Sequence, residues 1–535
     1  MKRMRFWVAI LLGLAAFLAK ADSIVLVPID SRPAAGQFAQ MIGRIADVDV
    51  TMPPYDDLGR FTNPGSPEAI LDWLSKLDFK DVRAVIVSTD MIAYGGLIAS
   101  RTPATSYELA LKRISRLEEI RAEHKDVKFY GFSSIMRLYP TVTKSTGSWG
   151  NALGQYEEEK EKFREMGGQW LLTDFHRLGA KLPQGVVDSY EHTRLRDFLI
   201  QQDLVRMTKK GLFDYLILGQ DDAKPYGPFV PETRHLHDMV DNLGIGGRVY
   251  FCEGIDQHSN VLVSRALLRR TDWIPRVRVV YADPDDRLKV ANFESKNIEE
   301  SLDDQIFASG ARPTTDNDYD YTIYLNTPGR DEKKFQDFLG QLNEDVDKGL
   351  PTAVADIDLA KDGTADPELF NSLLQNGRIT KLVAYAGWNT AGNTMGTAIP
   401  AANVYLYSKK AGTEPYRREI AEREFLLHRF VNDYAYHKYT RPVAYKLIDS
   451  LPSASRDETY GPDFTLINGF VRRDLGKRLE DTFEHEFLGQ HFTAGDKQYE
   501  VSGLDDVKIF LPWPRVYEVR LEFKMEAKEV LAPSP

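Results

Sequence analysis

The sequence predicts an α/β fold on a parallel sheet, with a (β/α)8-like barrel favoured over an open doubly wound sheet. Short apolar runs, suited to strands buried on both faces, alternate with helix-period segments over residues 23–409. Acidic or amide residues follow most of these runs, and α/β folds carry their chemistry at the carboxyl ends of strands. So many strands end this way that a ring is preferred; in an open sheet such ends would gather at one switch point. Nine or ten strands are expected, more than eight, which leaves one or two accessory.

Residues 1–21 stand apart from the fold. Lys2, Arg3 and Arg5 precede an apolar run from Phe6 to Ala19, and Ala19-Lys20-Ala21 fits a small-x-small cleavage site. The run is short for a membrane span, and no cysteine near the cleavage point suggests a lipid anchor. The expectation is an exported protein, periplasmic or extracellular, with no stable membrane insertion after cleavage. Losing those three residues and Lys20 takes the net charge from −11 to −15.

The domain beginning at residue 22 runs to about 410. Ser23 to Ile29 reads as its first strand, ending at Asp30-Ser31-Arg32-Pro33. Val48 to Met52 is a second strand, and Ala84 to Ser88 a third, with Thr89-Asp90 at its end. Tyr94, Gly95-Gly96 and Arg101 follow in a segment whose glycines permit close backbone approach. Lys128 to Ile135 ends near Arg137. Tyr215 to Leu218 ends in Gly219-Gln220-Asp221-Asp222, with Lys224 just beyond. Arg248 to Cys252 leads into Glu253, Asp256 and His258. Strands at 277–281, 321–325, 352–355 and 382–386 end in Asp283, Asn326, Asp356-Ile-Asp358 and Gly387-Trp388-Asn389. A helical connection (411–450) and a small α+β C-terminal domain (451–535) complete the chain. In the latter, Leu511-Pro-Trp-Pro-Arg515 reads as a loop that packs on the main domain or as an aromatic platform for a sugar.

Composition narrows the function. Hydrophobic content of 43% and charged content of 27% are ordinary for a globular protein. The acidic balance, with no long basic run, argues against a nucleic-acid partner. A single cysteine, Cys252, allows no internal disulfide, so a large core must supply stability. Phosphate-binding, dinucleotide and G-x-S-x-G motifs are all missing, which argues against a nucleotide enzyme and a serine hydrolase.

Several carboxylates in one pocket cannot all ionise freely, so one becomes a general acid while another stays a base or nucleophile. Glycoside hydrolysis needs such a pair. Asp221 or Asp222, with Glu253 or Asp256, are the catalytic candidates. Asp30, Arg32, Asp90, Tyr94, Arg101, Arg137, Lys224, His258, Asp356, Trp388, Asn389 and Asn393 are candidates for binding. Trp388 and Tyr94 would stack on a sugar face; Asn389 and Asn393 would hydrogen-bond hydroxyls, or else tie down their loop and cap the helix that follows. The expected activity is an exported carbohydrate-active hydrolase on a small-molecule or polysaccharide substrate. No cofactor is required. A divalent cation is the competing use of the same acids, in a metal-dependent phosphohydrolase, although no paired-histidine or cysteine ligand motif occurs. A non-catalytic envelope glycan-binding protein or a structural scaffold are further alternatives.

Five segments carry a resemblance to a family: VPIDSRP at 27–33, STDMIAYGGLIASR at 88–101, DPELF at 366–370, AYAGWNTAGNTMGTA at 384–398 and LPWPRVYEV at 511–519. In this order they resemble the bacterial domain-of-unknown-function family 4127. The resemblance implies one family over nearly the whole mature chain, the C-terminal segment included. It implies no activity. Where the family has an Ala-Asn-Gly-Ala-Asp run before DPEL, this chain has AKDGTAD at 360–366.

Overall fold

A computed structural model describes residues 23–360 and 363–530; the leader assigned to residues 1–21 lies outside them. All ten expected strands form, and a two-residue strand joins them. They divide into two parallel sheets. The first holds β1 (Ser23–Val27), β2 (Asp49–Thr51), β3 (Val82–Ser88), β4 (Lys128–Ile135), β5 (Tyr215–Gln220) and β6 (Val249–Glu253) in the order β2-β1-β3-β4-β5-β6. The second holds β7 (Arg276–Tyr281), β8 (Arg312–Pro313), β9 (Tyr321–Asn326), β10 (Thr352–Asp356) and β11 (Ala384–Ala386) in the order β8-β7-β9-β10-β11. No pairing among the described residues closes either sheet into the expected barrel. In each, the second strand lies on one side of the first and the later strands step away on the other. The reversal falls at β1/β3 and again at β7/β9, where doubly wound folds leave a crevice at the carboxyl ends.

Period-two side-chain alternation explains why the strands are apolar throughout. Ile24, Leu26, Ala84 and Ile86 point into a central core; Val25, Val27, Val85 and Val87 point into an outer one. Each full burial contributes about 1.5–3 kcal/mol. Ile323, Ala353 and Ala384 of the second sheet enter the same central core from the opposite side, while Tyr324, Val354 and Tyr385 face away. The two sheets therefore share one layer of helices: Gln37–Ile45, His258–Leu268, Ile298–Ser309 and Ala391–Lys410.

The helix Ala391–Lys410 is buried almost all round, so its polar groups need internal partners. Asn403 donates to Ser309 Oγ at 3.0 Å and accepts from the Tyr321 hydroxyl at 3.1 Å.

The C-terminal part covers the outer face of the second sheet. Helix Pro415–Arg429 runs on through a π-helical stretch, Phe430–Thr440, into Arg441–Asp449. Helix Gly461–Glu486 and the antiparallel strands β12 (His491–Ala494), β13 (Lys497–Phe510) and β14 (Arg520–Val530) follow. Leu521, Phe523 and Met525 alternate into a core shared with Tyr385 and Val354.

Candidate functional site

A cavity of about 480 Å³ opens at the carboxyl ends of β1, β3, β4, β5 and β6. Its walls also include residues from the loop after β11 and from the C-terminal part.

Three arginines and their acids form its floor. Asp30 turns back to accept from Arg32 Nε at 3.0 Å and from Nη2 at 2.7 Å. The other edge of Arg32 binds Asp256 with both oxygens, at 3.0 and 2.6 Å. Burial works against the charge on Arg32, but Asp256 and Asp30 outweigh it and hold the guanidinium well above its ordinary pKa. Arg101 donates to Thr141 Oγ1 at 2.9 Å and pairs with Asp221. Arg137 Nη1 lies 2.9 Å from Asp222 Oδ2, and its Nε donates to the Tyr139 carbonyl.

The acids differ in openness. The Asp222 side chain is 28% exposed, against 5% for Asp221 and 9% for Asp256, so Asp222 is the one that most faces the cavity. Burial raises its carboxyl above the usual range; Arg137 pulls it down and Asp221 pushes it further up. Asp256 is likewise raised by burial, against the pull of Arg32, with Asp30 and Asp221 adding to the rise. Asp221 anchors the turn, accepting the Asp222 amide on Oδ1 at 2.9 Å.

The backbone after β3 brings Arg101 into place. Gly96 has φ +120°, and a Cβ there would sit 2.9 Å from the Ile29 carbonyl oxygen. Leu97 N–H donates to that same carbonyl, which ties the β3 loop to the β1 loop.

Asn389 and Asn393 line the opposite wall in a relay. The Tyr517 hydroxyl donates to Asn389 Oδ1 at 2.6 Å, Asn389 donates to Asn393, and Asn393 donates to Gln257 Oε1 at 2.7 Å. The two asparagines line the cavity and tie down their loop. The helix that follows starts at Ala391 and is capped by Thr390, not by an asparagine.

Several predicted residues lie elsewhere. Glu253 turns away to accept from the amide and hydroxyl of Ser295, and it borders a separate cavity of about 200 Å³. Asp90 is buried and accepts the Ser134 amide at 2.9 Å; burial pushes its carboxyl up to about 8. Tyr94 lies beneath the Arg196 guanidinium, 4.3 Å from the ring centre, and lines a neighbouring cavity. Lys224 points outward to Glu158 at 2.7 Å. His258 is fully buried under Gly219, where a Cβ would come within 2.4 Å of its Nε2; burial pushes it down to about 3, so it stays neutral. Asp356 belongs to the second sheet, where it accepts from Asn326 at 2.9 Å and from the Asp366 amide at 2.6 Å. Trp388 is a core side chain, edge-on to Phe38 at 5.6 Å, with its indole donating to Thr397. It offers no stacking face.

Other residues at the site went unforeseen. Trp513 packs with Phe61 and Ile98, donates to Ser31 Oγ at 2.9 Å, and lies 5.0 Å from the Arg32 guanidinium. Arg515 pairs with Glu518, and Tyr445, Arg456 and Asp457 complete the rim. The segment Leu511–Arg515 held the signal: Trp513 packs on the main domain, as one of its two readings expected, and borders the cavity. Glu294 gave no signal at all. It is buried beside Glu253, accepts the Gly392 amide, and is pushed up to about 8 by burial and then by Glu253.

Among the described residues, no group of three or more His, Cys, Asp or Glu side chains is arranged to hold a metal ion, and no helix is long and apolar enough to cross a membrane. A family model described as "Protein of unknown function (DUF4127)" matches residues 24–522. No curated protein and no solved structure matches the chain.

Proposed function

The chain belongs to the DUF4127 family, whose description names no activity, and from the cavity we propose that it is an exported carbohydrate-active hydrolase. One observation carries the reading: Asp222 and Asp256, from the ends of adjacent strands, line the same cavity, each held by a different arginine. Asp222 is the general acid. As the most open of the acids on the cavity floor, it is the one placed to deliver a proton to the glycosidic oxygen as the bond from that oxygen to the anomeric carbon breaks. Asp256, which Arg32 pulls toward its ionised form, supplies the base or nucleophile on the other side of that carbon. Glu253 is set aside because it does not line the cavity.

Charge pairing suits a neutral, hydroxyl-rich ligand. Arg32, Arg101, Arg456 and Arg515 are each matched by a carboxylate, and only Arg137 faces the proton-bearing Asp222, so little net field remains for a phosphate. Asn389 and Asn393 add amide donors and acceptors, and the buried Trp513 backs the wall beside Arg32. The same pairing favours a second reading, an envelope glycan-binding protein without turnover, because paired carboxylates also serve as fixed acceptors for hydroxyls.

Release of reducing ends from envelope and plant polysaccharides tests the proposal. Asp222→Asn and Asp256→Asn should each lower turnover by about 10²–10⁴-fold; the melting temperature should stay nearly unchanged for the more exposed Asp222 and fall for Asp256, whose loss breaks the buried pair with Arg32. Glycan binding with no release, unaltered by Asp222→Asn, would replace the hydrolase with the binding protein.

A further inference from the structure

Beside the polar cavity lies a second one of about 790 Å³. The two share three wall residues, Ile98, Arg101 and Thr141, and the Arg101–Thr141 hydrogen bond of 2.9 Å forms the partition between them. The segment 456–458 borders both: Arg456 and Asp457 line the first cavity, Glu458 the second.

Their chemistry is opposite. Five arginines and four aspartates line the first cavity, but only Arg101, Lys144 and Glu458 are charged in the second. Its walls are Tyr94, Met136, Trp149, Leu153, Val186 and Tyr190, interspersed with threonine and serine hydroxyls. Met136, Leu153 and Tyr190 form a small core cluster of their own, against which Trp149 and Val186 pack. A concave, largely apolar and aromatic surface next to a polar one is the usual arrangement for binding an amphipathic ligand.

We propose that the second cavity is the leaving-group subsite of the hydrolase, and that it takes an apolar, aromatic aglycone while the sugar occupies the first. The inference rests on the hydrolase reading and deepens it. The partition is the place for the scissile bond: Arg101 holds Asp221, Asp221 holds the Asp222 amide, and Asp222 carries the proton that the departing oxygen must receive. In the reaction the bond between the anomeric carbon and the aglycone oxygen breaks. The aglycone leaves as an alcohol with the proton from Asp222, and water supplies the hydroxyl of the released sugar.

The test uses the full chain and two measurements. Binding of 2-naphthol alone is followed by calorimetry, and kcat/KM is compared for benzyl and methyl glycosides of the same sugar, whose leaving alcohols are similar in acidity. Ser189→Glu puts a charge on an exposed rim position of the cavity, and Trp149→Ala removes an aromatic wall. Each should weaken 2-naphthol at least tenfold and erase a benzyl-over-methyl preference of tenfold or more, whereas Asp222→Asn should bind 2-naphthol like the parent. If glycosides are cleaved without a benzyl preference and 2-naphthol does not bind, the subsite is overturned and the hydrolase stands. If 2-naphthol binds and Ser189→Glu abolishes it but no glycoside is cleaved, the apolar site stands and the hydrolase reading falls.

Discussion

The two parallel sheets share a 2-1-3-4-5 order of their first five strands and the habit of ending strands in acids, yet the acids of the first border the cavity of about 480 Å³ and those of the second do not. Behind β5 and β6, the acids are held by guanidinium groups and face open space. Behind β10 and β11, the acids pair with arginines as well, Arg330 on Asp366 and Arg429 on Asp433, but they are also tied to backbone amides and border no part of that cavity. Asp356 accepts from Asp366 N, Asp366 from Glu368 N and Leu369 N, and Asp433 from Gly387 N. An acid at a strand end is thus ambiguous by itself. What separates a site from a scaffold is whether the paired acid borders a void.

Arg32→Met should break the contrast most severely. It leaves Asp30 and Asp256 without their shared cation, and removing one partner from a buried ion pair costs about 3–5 kcal/mol. Urea unfolding at neutral pH measures it, and a change below about 1 kcal/mol would show that the floor of the cavity is not held this way.

Asp356→Ala probes the other sheet. It strands the Asp366 amide and the Asn326 side chain, so about 1–3 kcal/mol of stability should go while the affinity of the cavity for its ligand stays the same. Loss of affinity with unchanged stability would move the function to the second sheet.

A smaller, distributed effect is the pH dependence of stability. Asp90 and Glu294 are raised to about 8 in the folded chain from ordinary values of 3.8 and 4.5. Over that interval the folded state holds protons that the unfolded state has lost, so stability falls as pH rises. Their contribution is full below about pH 4 and gone above about pH 8. Below about pH 6.5 the buried neutral His258 and His428 act in the opposite sense, so urea midpoints should decline from about pH 7 to pH 8, and Asp90→Asn should flatten the slope; a midpoint that rises across this range contradicts the assignment.

Tyr517→Phe should do least. It removes one hydrogen bond to Asn389, worth about 1 kcal/mol, and should weaken ligand binding roughly fivefold with the melting temperature nearly unmoved.

The strands were legible because each is a short apolar run, most of them closed within two residues by a Gly, Pro, acid or amide. Their division between two sheets was not, since alternation along a strand says nothing about which strand it pairs with. Asp221, Asp222, Asp256, Arg32, Arg101 and Arg137 were found by position alone, as they follow the strands of one sheet directly. Trp388, His258 and Lys224 also follow strands, yet local chain direction turned the first two into the core and the third to solvent. Tyr517 and Trp513 come from the far end of the sequence, where only tertiary contact could connect them with Asn389 and Ser31.

That late contribution bears on how the protein is made. Domains fold from the amino terminus as synthesis proceeds, and both sheets are complete by Ala386. The aromatic wall over Arg32 arrives more than a hundred residues later, with Trp513. A nascent or prematurely terminated chain ending before residue 511 carries the acids and arginines of the floor without the wall beside them, so the site matures only after Trp513 has been made and has docked.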